Sequence, residues 1–166
     1  LDYKKVEGLS DMPDFALLFT LPADYDRIRY YGLGAADNYI DRMEGGRLGI
    51  YEQSLADGVE PYLRPQESGN HGGIRWFEAR DRRGRGIRVY AGAGTVPFEA
   101  SASPYSPHEL ETARHPHDLP VVHHTYLRAS AGMCGVGGDD TWGAPVLEEY
   151  THKNEDRRLA FWMKGI

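Results

Sequence analysis

Residues 74–91, IRWFEARDRRGRGIRVYA, decide the fold class of this chain. Two runs that contain β-branched and aromatic residues, 74–80 and 86–91, flank the charged turn DRRGR. This arrangement is typical of a β-hairpin, in which alternate side chains face the protein core. We therefore predict a hairpin here, with Trp76 or Phe77 on its buried face.

Outside the hairpin, short β-rich segments alternate with clusters of turn residues. Compact apolar runs and period-two alternation of apolar and polar residues predict strands. Further strands are expected at residues 15–21, 26–31, 96–102, 121–127 and 159–163. Because Trp76 and Trp162 lie on predicted strands, we expect both to be core residues whose truncation costs about 3 to 5 kcal/mol.

One short helix is predicted after Ser106. Ser106 has the properties of an N-cap residue, Pro107 occupies the first helical position, and Glu109 completes a capping box. The helix cannot continue far because Pro116 follows.

The composition predicts an all-β fold. With 166 residues the chain can form one sizeable core, whereas 20 glycines and 10 prolines interrupt it too often for long helices. We predict a β-sandwich with one short helix, as a single domain over residues 1–166.

Charge and cysteine content exclude several classes of protein. A formal net charge of -6 gives no electrostatic reason to bind nucleic acid. A single cysteine, Cys134, excludes an internal disulfide, and the apolar run at 15–19 is too short for a signal peptide or a membrane span. We therefore expect a reducing, cytoplasmic location and no membrane partner.

The segment GVGGDDTWG, residues 135–143, contains the principal candidate binding residue. It places the indole of Trp142 at the tip of a loop that is too rich in glycine to bury it. A flat amphipathic ring with one N–H donor suits the apolar face of a sugar. The alternative is that Trp142 folds back onto its own domain.

The other residues of this loop are predicted to support Trp142. Gly135, Gly137 and Gly138 are expected to adopt backbone angles closed to other residues, and Asp139 and Asp140 to cap their own turn. The two aspartates are also the obvious pair for glycoside hydrolysis, which needs two carboxyl groups about 5 to 10 Å apart. Because adjacent side chains usually point apart, we favour the structural role and predict no catalytic residue in this chain.

The histidines give no support for a metal site. His115, His117, His123 and His124 lie close together in sequence, but no neighbouring cysteine or HExxH spacing accompanies them. We predict no metal or other cofactor bound by this chain.

Four segments, in order, resemble the C-terminal domain of the large β-galactosidases of glycoside hydrolase family 2. They are YYGLGAADNYIDR (30–42), PYLRPQESGNHGGIRW (61–76), PFEASASPYSPHELETARHPHDLP (97–120) and GVGGDDTW (135–142). The resemblance implies a galactose-mutarotase-like supersandwich of which this chain holds only the later part. The N-terminal side of the sandwich is thus expected to be incomplete, and the chain to be either a fragment of a longer β-galactosidase or a small subunit.

The resemblance also implies a function. In the family, the tryptophan matching Trp142 reaches into an active site whose acid and nucleophile belong to a separate barrel domain. It forms a platform for the sugar or aglycone in an enzyme that hydrolyses terminal non-reducing β-D-galactose residues. This chain alone is then expected to be inactive, its partners to be a galactoside and the remaining domains or large subunit, and Mg and Na to belong only to the assembled enzyme.

Further residues in the resembling segments are expected to be structural. Arg42, Glu67, Asn70 and His71 are predicted to hold loops together by buried hydrogen bonds. An incomplete sandwich would also expose strand edges, which favours pairing with another copy. Three alternative functions remain open from sequence: a free-standing carbohydrate-binding module, a mutarotase-like epimerase, and a structural domain that supports subunit contacts.

Overall fold

A computed structural model of the chain describes residues 1–140 and 143–166. Within these residues, eleven strands and one α-helix form the regular structure. The strands are β1 (Asp2–Tyr3), β2 (Asp14–Pro22), β3 (Arg27–Gly34), β4 (Arg47–Ser54), β5 (His71–Ile74), β6 (Trp76–Arg80), β7 (Gly86–Tyr90), β8 (Phe98–Ser103), β9 (His124–Met133), β10 (Arg157–Arg158) and β11 (Trp162–Gly165); the helix α1 is Pro107–Thr112.

Two antiparallel sheets enclose the core. The five-stranded sheet has the order β11-β7-β6-β3-β4, and the four-stranded sheet has the order β2-β9-β8-β5, while β1 and β10 form a small separate ribbon. Side chains from both sheets build one apolar cluster, including Tyr30 and Phe77 from the first and Phe98 and Leu127 from the second. The predicted all-β sandwich with one short helix is thereby confirmed.

The predicted hairpin is confirmed as β6 and β7. Their antiparallel register pairs Phe77 with Val89, and both side chains are buried. Phe77 therefore occupies the inner face, whereas Trp76 lies on the outer face between the guanidinium groups of Arg29 and Arg88. The partial exposure of Trp76 contradicts its expected place in the core.

Besides the two-residue strands β1 and β10, two strands of the main sheets were not predicted, because glycine breaks the apolar alternation in both. β4 contains Gly49 between exposed apolar residues, and the four residues of β5 include Gly72 and Gly73. β9 and β11 both begin three residues later than predicted. Strand pairing across the sheets, rather than local composition, determines where these elements begin.

Trp162 is a second correction, because its side chain is not part of the core. It is 57% exposed, and its ring lies directly over Gly92, where a Cβ atom would collide with the indole. Trp162 pairs with Tyr90 in β7 at an edge of the five-stranded sheet. Leu159, at the start of the predicted strand, is the buried residue of this segment.

The helix begins where the sequence predicts. The Ser106 hydroxyl accepts a hydrogen bond from the Glu109 backbone N–H at 3.2 Å, and the Glu109 carboxylate accepts one from the Ser106 N–H at 2.7 Å. The backbone hydrogen bond from Ser106 lowers the pKa of Glu109. In the part of the chain that the structure describes, no helix is long and apolar enough to cross a membrane.

The two aromatic positions should differ in their contribution to stability. Phe77→Ala removes a ring that is 1% exposed, so we expect a loss of about 3 to 5 kcal/mol in the free energy of unfolding. Trp162→Ala should cost less than about 1 kcal/mol, because the ring lies on the surface. Urea unfolding of both variants compares them, and equal losses would contradict the assignment of Trp162 to the surface.

Candidate functional site

A cleft of about 720 Å³ forms where four separate segments of the chain meet. The segment after β3, the segment before β5, helix α1 and the loop after β9 each contribute to its wall. The lining residues are Tyr39, Asp41, Arg42, Tyr62, Gln66, Glu67, Pro107, Leu110, Glu111, Val136 and Gly137.

These four segments coincide with the four segments that resemble the β-galactosidase domain. Each lining residue falls within residues 30–42, 61–76, 97–120 or 135–142. The segments are far apart in sequence, so only the fold brings them together. Their convergence makes this cleft, and the loop that leaves it, the candidate functional site.

Asp41 holds the start of the tryptophan loop, which we define as residues 135–143. The Asp41 Oδ2 atom accepts hydrogen bonds from the backbone N–H of Val136 at 2.8 Å and of Gly137 at 2.7 Å. A Cβ atom on Gly135 would lie 2.6 Å from the Asp41 carboxyl group, so a side chain there would displace this carboxylate. Sequence reasoning missed Asp41, since its partners lie 95 residues away.

The role of the loop glycines differs from the predicted one. Among the described glycines, Gly135, Gly137 and Gly138 do not have positive φ angles, whereas Gly143 has φ +104°. At Gly138 the limit is the carbonyl of Ala144, which a Cβ atom would overlap. Close packing, rather than an unusual backbone angle, therefore accounts for Gly135 and Gly138, whereas at Gly137 a Cβ atom would make only an ordinary contact with Asp41.

The aspartates of the loop are both exposed. The Asp140 Oδ1 atom accepts a hydrogen bond from the Ala144 N–H at 3.3 Å. Support of the loop by Asp139 and Asp140 stays a prediction. Trp142 lies outside the described residues, so its role as a sugar platform stays a prediction.

Asn70 and Asn38 connect the loops behind the cleft. The side-chain Nδ2 of Asn70 donates to the backbone carbonyl of Asn38 at 3.0 Å and to Glu99 Oε2 at 2.8 Å. In return, the backbone N–H of Asn38 donates to the backbone carbonyl of Asn70 at 2.7 Å. Burial raises the pKa of Glu99, which also accepts the N–H of Met133. The predicted structural role of Asn70 agrees with these buried contacts.

Glu67 is fixed by an ion pair with β9. The Arg128 Nη1 atom lies 2.8 Å from Glu67 Oε1, and the Arg128 Nε atom lies 3.4 Å from Asp14 Oδ2 in β2. Burial raises the pKa of Glu67, and the charge of Arg128 opposes that shift. Glu67 thus ties the cleft wall to the four-stranded sheet, as predicted for a loop-supporting residue.

Arg42 and Tyr39 form a polar and aromatic pair on the cleft wall. Arg42 donates to Asp37 at 2.6 Å, and its guanidinium lies 5.5 Å from the centre of the Tyr39 ring. Half of the Arg42 side chain is exposed, so its hydrogen bond is not buried as expected. Tyr39 is buried, and its hydroxyl makes no hydrogen bond to any described residue.

His71 contributes a stacked ring. It is 2% exposed, its ring lies 4.2 Å from that of Tyr30, and its two nitrogens make no hydrogen bond within residues 1–140 and 143–166. Burial lowers the pKa of His71 to about 4. The carbonyls of Leu33 and Ala36 lie close enough to favour the protonated ring, so hydrogen bonding by His71 stays a prediction, whereas its packing between the loops agrees with the expected structural role.

One group of side chains in the described part of the chain has the spacing of a metal site. It consists of His115, His117 and Asp118, which are all exposed and follow α1. His123 and His124, which the sequence places nearby, do not belong to it. Sequence reasoning considered the histidines but not the aspartate beside them.

Comparison with known proteins assigns the chain to a family. The family described as the β-galactosidase small chain matches residues 1–163. The chain belongs to this family. The β-galactosidase of Halalkalibacterium halodurans is 45% identical over 155 residues, and β-galactosidase BgaC of Bifidobacterium adolescentis is 44% identical over 147 residues. The β-galactosidase small subunit of Latilactobacillus sakei is 34% identical over 168 residues.

The chain spans only part of the length of these relatives. The three matches cover 93%, 89% and 96% of this chain, respectively. They cover only 15% and 14% of the two β-galactosidases, and 52% of the small subunit. The chain therefore corresponds to a small part of a β-galactosidase, as the resemblance of its four segments implies.

Removal of the Asp41 carboxylate should loosen the tryptophan loop. In Asp41→Ala, the N–H groups of Val136 and Gly137 lose their acceptor, so we expect their amide hydrogens to exchange at least tenfold faster. Hydrogen exchange resolved by NMR or mass spectrometry measures this effect. Asp139→Ala, in the same loop, serves as the control and should leave both amides protected; unchanged exchange in Asp41→Ala would show that other contacts hold the loop.

The buried His71 should make stability depend on pH. Below pH 6.5 the unfolded chain binds a proton at His71, whereas the folded chain resists protonation down to about pH 4. The unfolding free energy should thus fall by about 3 kcal/mol as the pH drops through this window. His71→Phe keeps a ring against Tyr30 without the titration, so urea unfolding should show a smaller decrease. Parallel pH profiles for the two proteins would contradict this origin.

Proposed function

We propose that this chain is the part of a β-galactosidase that presents Trp142 to the sugar bound at the active site. The acid and the nucleophile would belong to another domain or to a large subunit. The observation that carries the proposal is the convergence of all four β-galactosidase-like segments on one cleft, at the base of the loop that contains Trp142.

The anchoring of the loop supports this proposal. An aromatic platform contributes to binding only if its ring is positioned before the sugar arrives, since ordering a side chain on binding costs free energy. Asp41 holds the backbone at Val136 and Gly137, and Asp140 closes the turn against Ala144. These contacts fix the backbone N–H groups of Val136, Gly137 and Ala144 in the described part of the loop and just after it.

The chemistry of the cleft also fits a carbohydrate. Its wall combines the rings of Tyr39 and Tyr62 with the polar groups of Gln66 and Glu111. Sugar sites in proteins combine apolar surface with a few convergent polar groups.

We propose that hydrolysis of a terminal β-D-galactose residue requires the rest of the enzyme. Asp139 and Asp140 are exposed and adjacent in sequence, and adjacent side chains usually point apart, whereas glycoside hydrolysis needs two carboxyl groups that flank the scissile bond. The chain alone would then bind or position the sugar without cleaving it. We propose that Mg and Na are bound by the rest of the assembled enzyme. We also propose a cytoplasmic location, for which the support is the single, free Cys134.

We further propose that other parts of the enzyme cover the exposed sheet edges. β4 is the edge strand of the five-stranded sheet, and its side chains Leu48 and Ile50 are 46% and 57% exposed. At the edge of the four-stranded sheet, Leu18 in β2 is 45% exposed. Apolar edge strands of this kind tend to pair with another chain or segment. This would complete the sandwich that the family resemblance implies, or pair two copies.

A change at Trp142 tests the platform role in the complete enzyme. A sugar that covers one face of the indole buries about half of a side chain whose full burial contributes about 1.5 to 3 kcal/mol. Trp142→Ala should therefore weaken substrate or acceptor binding by roughly 5- to 30-fold, whereas Trp142→Phe should retain much of the affinity. The melting temperature should change by only a few degrees.

Two other results would redirect the proposal. If Trp142→Ala unfolds the domain and leaves the sugar affinity of the assembled enzyme unchanged, Trp142 is a core residue. If the isolated chain binds galactosides with the affinity of the complete enzyme, the chain is a carbohydrate-binding module. The epimerase alternative would require a histidine and a glutamate that face each other as acid and base, and loss of epimerase activity on their removal.

A further inference from the structure

The turn after α1 brings together three side chains that can bind metals. Residues Pro116–Asp118 form a single 3-10 turn. The turn places one ligand atom from each of His115, His117 and Asp118 within 4.8 Å of one another. We propose that this turn binds one divalent transition-metal ion, of the zinc or nickel type, through two imidazole nitrogens and the Asp118 carboxylate.

The distances between the ligand atoms are close to those required by such an ion. His115 Nδ1 lies 3.4 Å from Asp118 Oδ2, and His117 Nε2 lies 3.6 Å from Asp118 Oδ1. A tetrahedral zinc ion with bonds of about 2.0 to 2.1 Å holds its ligand atoms about 3.3 Å apart. The two separations involve different oxygen atoms of the Asp118 carboxylate, and the three ligand atoms lie within 4.8 Å of one another, so a rotation of the imidazole rings is needed to bring all three to this spacing.

The carboxylate is held in place by the backbone. Asp118 Oδ2 accepts hydrogen bonds from the N–H groups of Arg114 at 3.1 Å and His115 at 2.9 Å. Pro116 restricts the backbone between the two histidines, and Pro120 follows the turn. A ligand fixed in advance loses little conformational freedom when the ion binds, which favours affinity.

The two imidazole rings must turn before they bind one ion. They are stacked with centres 5.1 Å apart and an angle of 6° between their planes, whereas nitrogen lone pairs that point at one ion require the ring planes to meet. The side chains of His115 and His117 are 63% and 80% exposed, so rotation meets little packing. Exposure also leaves the fourth position of the ion open to water.

The ligand set selects the class of metal. Imidazole nitrogen suits zinc, nickel and copper, whereas magnesium and calcium prefer oxygen ligands. This site would therefore be distinct from any magnesium or sodium site in the rest of a β-galactosidase. Leu110 and Glu111 of α1 line the cleft. An ion bound at the turn that follows α1 would therefore also restrict the chain at the end of this cleft wall.

Titration calorimetry with zinc chloride tests the site, using the complete protein that contains this chain in a buffer without chelating groups. For the unmodified protein we expect a binding event of one ion per copy of this chain that excess magnesium does not displace. His117→Ala and Asp118→Asn should each weaken this event at least tenfold. Because both side chains are partly or largely exposed, thermal unfolding should show that the variants remain folded.

Exposed histidines elsewhere in the chain provide matched controls. His108→Ala, on α1, and His123→Ala, before β9, should leave zinc affinity within twofold of the unmodified protein. The proposal is overturned if no such event is detected, if the control variants weaken it as much as His117→Ala does, or if magnesium competes equally. Equal loss in all variants would indicate diffuse binding to surface histidines.

Discussion

The side chain of Asn70 joins the two sheets beside the cleft, and the arrangement of the candidate site depends on it. Asn70 Nδ2 bonds both to the Asn38 carbonyl, in the segment after β3, and to Glu99 in β8. Asn38 in turn accepts the N–H of Gly72 in β5 at 2.7 Å. Because this network is buried, its loss would leave several polar groups without partners, at a cost of about 1 to 3 kcal/mol each.

The position of the tryptophan loop follows from this network. The segment that carries Asn38 continues to Asp41, so the network that fixes Asn38 also fixes the carboxylate that binds the loop amides. On the other side, Glu99 accepts the N–H of Met133, the last residue of β9 before the loop. The start of the loop is thus anchored through contacts to both sheets. A firmly held base is the arrangement expected of a loop that positions a side chain for binding.

Local signals in the sequence predicted the hairpin and the capped helix, because their partners are near in sequence. The Ser106 and Glu109 capping box and the turn between β6 and β7 are complete within a few residues. Gly49 interrupts the alternation of apolar and polar residues in β4, so local sequence did not predict this strand. The Trp162 ring lies on the surface over Gly92, which is far from Trp162 in sequence, so local sequence did not predict this position either. The sequence also suggested the importance of the tryptophan loop without indicating Asp41, since the fold alone brings Asp41 to it.

The central claim is that Trp142 is held out from this domain as a platform for a sugar. A crystal structure of the complete β-galactosidase with a bound galactoside or inhibitor tests it most directly. We expect the face of the Trp142 ring to lie within about 4 to 4.5 Å of the carbon atoms of the ligand, with Asp41 still bonded to the loop amides. An indole packed against the core of its own domain, away from the ligand, would contradict a platform role for Trp142.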